Sequence, residues 1–155
     1  MLRAFIAFIP AVLGAYVTGS ILATQVILAR LQAMAVPVTL RDRLQASWHD
    51  ILGLSDTYLP LMLLAFAIAM PLAVALSNYV PRIRVLLYGL AGAAAVMAIH
   101  LIIKAVLGVN GIAAVRELHG LLLQGLAGCF GGYLFYVFTG QAHRSYQPPG
   151  ARPHV

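Results

Sequence analysis

The chain has 155 residues, 62% of them hydrophobic and only 9% charged, with ten Lys+Arg against four Asp+Glu for a formal charge of +6. A soluble domain is roughly half apolar and about a quarter charged. The composition therefore excludes a soluble globule, a disordered chain, a secreted disulfide scaffold and a nucleic-acid-binding module, and it predicts an all-α integral membrane protein.

The first apolar run covers Ala4 to Ala29 and closes at Arg30. Met1-Leu2-Arg3 resembles the charged start of a signal peptide, but the apolar stretch is too long for a signal core and no small-x-small cleavage site follows it. The run reads as a retained transmembrane helix, with Pro10 in its opening turns where a proline is tolerated.

The connection from Leu31 to Asp56 carries its own pattern. Thr39 and Asp42 have the spacing of a capping box. Behind them Leu40, Leu44, Trp48, Ile51 and Leu52 share one face of a helix over about 39–53, while Arg41, Arg43, Gln45 and Asp50 lie off it, and Gly53 supplies a stop. A short amphipathic helix bearing a tryptophan is expected to rest on the bundle mouth or on lipid headgroups; a lid or a docking face for a partner is the sharper alternative.

Three further apolar runs follow, Tyr58–Ser77, Val85–Leu107 and Leu118–Phe138. Each has about twenty residues or more, enough to cross a hydrocarbon core of about 30 Å. Ser55 or Asp56 is placed to cap the second span, Pro60 falls in its first turn, and Pro71 deep inside it is expected to bend it. Pro81-Arg82-Ile83-Arg84 and Gly108-Val109-Asn110-Gly111 mark the next two turns. The architecture expected is a four-transmembrane-helix bundle over residues 1–140, with an external amphipathic helix between the first two spans and a disordered basic tail over 141–155.

Four spans put both termini on one side. Arg3, Arg82, Arg84, Arg144 and Arg152 fall on that side, and Arg30, Arg41, Arg43, Lys104 and Arg116 on the other, so the basic residues tie. The tight Pro-Arg-Ile-Arg hairpin favours cytoplasmic termini in a bacterial inner membrane.

Lipid provides no hydrophobic drive for helix association, so small residues mark helix contacts. Gly89, Gly92, Ala93 and Val96 form such a stripe on the third span, continued by His100 and Lys104. Glu117, Gly120, Gln124, Gly128 and Gly131 form one on the fourth, with Gly128 and Gly132 in a GxxxG. An antiparallel hairpin centred near Ile112 pairs residues whose numbers sum to about 224. Gly92 then faces Gly132, Ala93 faces Gly131, Val96 faces Gly128, His100 faces Gln124 and Lys104 faces Gly120. The expectation is a tight seam in the inner half and a polar pocket in the outer half, built from His100, Lys104, Glu117, Gln124 and, from the first span, Gln25.

An ionisable residue inside a span is a functional candidate by default. His100 is accordingly the leading one, against the plainer reading of a neutral histidine hydrogen-bonded to Gln124. Lys104 either snorkels to the headgroups or meets Glu117. Bis-histidine haem ligation by His100 and His119 is disfavoured, because His119 lies off the glycine stripe; a quinone needs only a donor, an apolar slot and an aromatic wall, which His100, Gln124 and Tyr58 offer. Cys129 is the only cysteine, so there is no disulfide or CxxC chemistry within the chain. The hydrolase, zincin, P-loop and dinucleotide motifs are missing too, as are paired carboxylates within a helix turn or two. The reading is a non-catalytic accessory or assembly subunit of a membrane complex, or a homo-oligomer, in contact with the lipid bilayer and other membrane subunits or copies of itself, with no nucleic acid and no metal, and with no cofactor favoured over haem or quinone. The alternative is a quinone-, haem- or lipid-binding protein using the His100 pocket, and the third is an oligomeric small-solute transporter or channel.

Overall fold

The computed structural model describes residues 2–108 and 112–144. Five α-helices run in the order α1 (Leu2–Ala33), α2 (Leu40–Gly53), α3 (Tyr58–Tyr79), α4 (Arg84–Leu107) and α5 (Leu118–Arg144), with one-turn 3-10 helices at Pro81–Ile83 and Ala113–Arg116. Four of them are long and apolar enough to cross a membrane. The protein is an all-α membrane bundle, and lipid contact follows from those four faces. The expected turn centre at Asn110-Gly111 and the tail from residue 145 lie outside the described residues.

The helix ends depart from the hydropathy pattern in instructive ways. Arg30 does not close the first helix, which continues to Ala33. Arginine is a good helix former, and its head finds acceptors across the bundle mouth. The fourth span likewise passes Gly140 and runs to Arg144. At the short helix the capping box forms: the Thr39 hydroxyl accepts from the Asp42 amide and the Asp42 carboxylate accepts from the Thr39 amide. Ser55 and Asp56 do not cap α3. Thr57 is its N-cap without a side-chain bond, and the Tyr58 amide donates to the Leu54 carbonyl at 2.8 Å, so backbone from the preceding turn satisfies it. Gly108 ends α4 in the left-handed conformation at φ 68°, which glycine adopts without strain.

α5 is the centre of the bundle, packed along α1 on one side and α4 on the other. α3 lies against α4 and, less extensively, α1. The core between them holds Tyr16, Tyr58, Met62, Phe66, Tyr88 and Phe135. The α4–α5 seam is so close that a Cβ on Gly92 would lie 2.1 Å from the Gly128 carbonyl oxygen, and one on Gly132 would lie 2.0 Å from that of Tyr88. Gly128 sits between Gly92 and Val96, whereas Gly89 faces the Cys129 sulfur.

The seam is slid relative to the register expected from a tight turn. The closest backbone pairs are Gly92 with Gly128 and Tyr88 with Gly132, one helical turn away from Gly92 with Gly132. The connection carries the 3-10 turn Ala113–Arg116, which packs against α1 and α5 rather than reversing tightly. Gly120 correspondingly faces the Ala114 carbonyl, not Lys104. Gly131 does not meet Ala93 either. It opens toward the Ala11 carbonyl, Ala15 and Phe66, and so belongs to the contact of α5 with α1 and α3.

Candidate functional site

One continuous chain of hydrogen bonds joins all four spans inside the bundle, toward the end where α3 and α5 begin. The Gln124 amide nitrogen on α5 donates to the Gly19 carbonyl of α1 at 2.9 Å. The Tyr58 hydroxyl of α3 donates to the Gln124 amide oxygen at 2.9 Å. The same hydroxyl lies 3.1 Å from Nε2 of His100 on α4. His100 and Gln124 are 2% and 0% exposed, so these bonds form away from water. Helix geometry gives each group its place. Tyr58 opens α3 and reaches down the bundle axis, and Gly19 leaves room for the Gln124 head, since a Cβ there would lie 2.8 Å from its oxygen.

The proton count along this chain has one solution. A carbonyl oxygen only accepts, so the nitrogen of Gln124 must face Gly19 and its oxygen must face Tyr58. Tyr58 has a single proton, which goes to Gln124. Its oxygen then accepts from His100, which must carry its proton on Nε2. His100 Nδ1 is left as a bare, buried acceptor with no hydrogen-bond partner among the described residues. Stacking holds the ring: the Tyr58 and His100 centroids are 5.5 Å apart, and Tyr16 lies 6.1 Å from Tyr58 on the other side.

The remaining pocket candidates are placed elsewhere. Gln25 faces α2: its nitrogen donates to the Ser47 hydroxyl at 3.2 Å, and its oxygen accepts from Arg43. Arg43 also donates to Gln32 at 2.6 Å, and Thr24 donates to the Asp50 carboxylate at 2.6 Å. Glu117 pairs with Arg30 of α1 at 3.3 Å and with His119 at 3.1 Å, not with Lys104, whose side chain is exposed. His119 sits at the exposed start of α5, so His100 and His119 do not share one cavity in the way a bis-histidine haem needs.

The short helix docks by a face the hydropathy pattern did not single out. Ser47 is buried, and Arg43, Ser47 and Asp50 make its bonds to α1, while the Tyr16 hydroxyl donates to the Ile51 carbonyl. Leu40, Leu44, Trp48 and Leu52 stay outward, Trp48 at 65% exposure, and only Ile51 of the apolar set reaches the core. At about 100° per residue the docking face and the apolar stripe are centred roughly 110° apart. The helix thus turns one side to the bundle, one apolar side outward and a third, with Asp42, Gln45 and His49, elsewhere.

Two of the recesses in the surface are largely apolar. A groove of about 680 Å³ runs between α3 and α4, floored by alanines such as Ala69, Ala91, Ala94 and Ala98. A crevice of about 660 Å³ separates the start of α1 from the end of α3, near Phe5, Pro71 and Phe135. The sequence pattern did not single out Tyr16 and Arg43 as the residues that bond α1 and α2 to one another. Only Tyr16 carried a usable signal, a lone phenol in an otherwise aliphatic stretch. Comparison of the chain with protein-family models, with curated proteins and with solved structures found no match.

Proposed function

We propose that this is a non-catalytic accessory or assembly subunit of a membrane complex, or a homo-oligomer, seated in a bacterial inner membrane with both termini cytoplasmic. The observation that carries the reading is the use to which the buried polar groups are put. Gly19, Tyr58, Gln124 and the Nε2 side of His100 bond to one another and tie four helices into a fixed body. A pump or ion-coupled carrier needs such groups in series across the bilayer. α2 extends the same body: the outward Trp48 stripe suits the headgroup layer, with the helix held in place by Arg43, Ser47 and Asp50.

The least covered span is α3, with 22% of its apolar window buried against 39% in each of the other three. A neighbouring transmembrane helix lying on its alanine-floored side would use the small-residue packing that lipid-embedded contacts favour. The test is a photo-crosslinker placed at Ile68 or Leu72 in the protein's native membranes, with Leu13, exposed on α1, as reference. A discrete crosslinked product from α3 positions supports the subunit reading. Crosslinks to lipid alone from every position contradict it.

One observation favours a second reading, a ligand at His100: its Nδ1 is buried and lacks a donor among the described residues. A quinol hydroxyl would supply one. Solvent extraction of the purified protein followed by absorbance and mass analysis tests it, and a quinone or haem retained by wild type but lost from His100→Phe would replace the first reading.

A further inference from the structure

A second polar cluster lies at the α2 end of the bundle, outside the four-helix hydrogen-bond chain. A crevice of about 420 Å³ between α1 and the start of α5 is lined by Leu22, Gln25, Val26, Arg30, His119 and Leu123. Its polar end is Arg30. Nη1 of that guanidinium donates to the Ala113 carbonyl at 3.2 Å. Nη2 lies 3.3 Å from one Glu117 oxygen without forming a hydrogen bond, and Nε has no partner among the described residues, although both nitrogens are closed to solvent. The Nε–Nη2 edge is the fork with which arginine grips a carboxylate or phosphate through two parallel bonds. Leaving charged donors unmade is costly, so this edge calls for an oxyanion.

The shape of the crevice says which kind. From Arg30 to Leu22 is eight residues of helix, about 12 Å along the axis, and from His119 to Leu123 about one turn. Both walls run from a polar rim into the hydrocarbon depth of the spans, and below Arg30 and His119 they are aliphatic apart from Gln25, which is bonded to α2. A free inorganic anion would use only the rim. An amphiphile would use both parts.

We propose that this crevice binds a phospholipid, its phosphodiester on the Nε–Nη2 edge of Arg30 with His119 beside it, and one acyl chain against Leu22, Val26 and Leu123. Glu117 is the competing acid: its carboxylate lies 3.3 Å from Nη2 and 3.1 Å from His119, and the phosphodiester reaches the edge by displacing it.

The test is native mass spectrometry of the full chain in detergent, titrated with phosphatidylglycerol, with diacylglycerol and with inorganic phosphate. Phosphatidylglycerol is expected to bind at a single saturable site, diacylglycerol not to, and inorganic phosphate not to displace the lipid. Arg30→Gln keeps a donor for Ala113 but loses the fork, and should bind about tenfold more weakly. Ala29→Phe fills the crevice from an exposed position without touching a charge, and should lose the lipid to a similar degree with an unchanged melting curve. Glu117→Gln should tighten binding. Undiminished lipid binding by Arg30→Gln and Ala29→Phe overturns the assignment. So does weaker binding by Glu117→Gln, or displacement by inorganic phosphate, which would mark a free-anion site.

Discussion

The carbonyl of Gly19 decides which nitrogen of His100 carries a proton, although the two residues do not touch. The order passes through Gln124 and Tyr58, each of which has one way to satisfy its neighbour. A single backbone acceptor on α1 thus sets the tautomer of a side chain on α4. Nitrogen-15 NMR of histidine-labelled protein is expected to show His100 neutral with its proton on Nε2. A proton on Nδ1 would break the deduced direction.

Tyr58 is the branch point, so removing its hydroxyl costs two bonds at once. Tyr58→Phe leaves Nε2–H of His100 and the oxygen of Gln124 without partners in a closed interior. Interhelical hydrogen bonds in membranes contribute about 0.6 kcal/mol on average and up to about 1.7. The loss expected is about 1–2 kcal/mol in reversible unfolding in mixed micelles. Combining Tyr58→Phe with Gln124→Leu should cost less than the two singles added together, because each removes the other's partner.

The seam predicts an ordering among glycines that composition alone does not. Gly92→Ala drives a methyl against backbone, which only a separation of α4 and α5 relieves, and overpacking of this kind costs about 1–3 kcal/mol. Gly89→Ala meets only the Cys129 sulfur at 3.0 Å and should be milder. Gly128→Leu should fail to assemble. Equal stability of the Gly89 and Gly92 variants would contradict the geometry.

The capping box of α2 makes its anchoring dependent on pH. Hydrogen bonds from the Thr39 hydroxyl and amide hold the Asp42 carboxyl below its ordinary value of 3.8. A carboxyl whose folded value is depressed stabilises the helix fully above its unfolded value and loses that contribution as pH falls through the folded one. Trp48 fluorescence should therefore be steady above about pH 5 and change only below about pH 4. Asp42→Asn should flatten that acid limb.

If α2 lies in the headgroup layer, Trp48 is reached by lipid. Phosphatidylcholine brominated near the top of its acyl chains should quench Trp48 more strongly than lipid brominated near the bilayer centre. The reverse order, or no quenching, would place the helix elsewhere. Trp48 is the only tryptophan, so the signal is unambiguous.

The spans and the capping box were legible in the chain because each rests on a local rule, apolar length or a three-residue spacing; His100 and Gln124 were rightly put near one another, but they meet through Tyr58 and not face to face. The Tyr58 bridge was only half legible. A tyrosine beside a helix start reads as an interfacial anchor, and nothing local says that it turns inward between α4 and α5. The short helix α2 was legible in its capping box, and the face by which it docks was not. In water an apolar stripe must find protein; beside a bilayer it can find lipid, which frees Arg43, Ser47 and Asp50 to meet α1. The seam was found and misplaced by one turn, because the 3-10 turn at Ala113–Arg116 has no strong sequence mark.

The most direct test of the subunit reading is native mass spectrometry of the protein released from its own membranes in mild detergent. One defined assembly larger than the chain is expected, homomeric or with a second protein, and it should survive saturation of the Arg30 crevice with phospholipid. A lone chain carrying a stoichiometric quinone or haem would contradict it and move the function to His100.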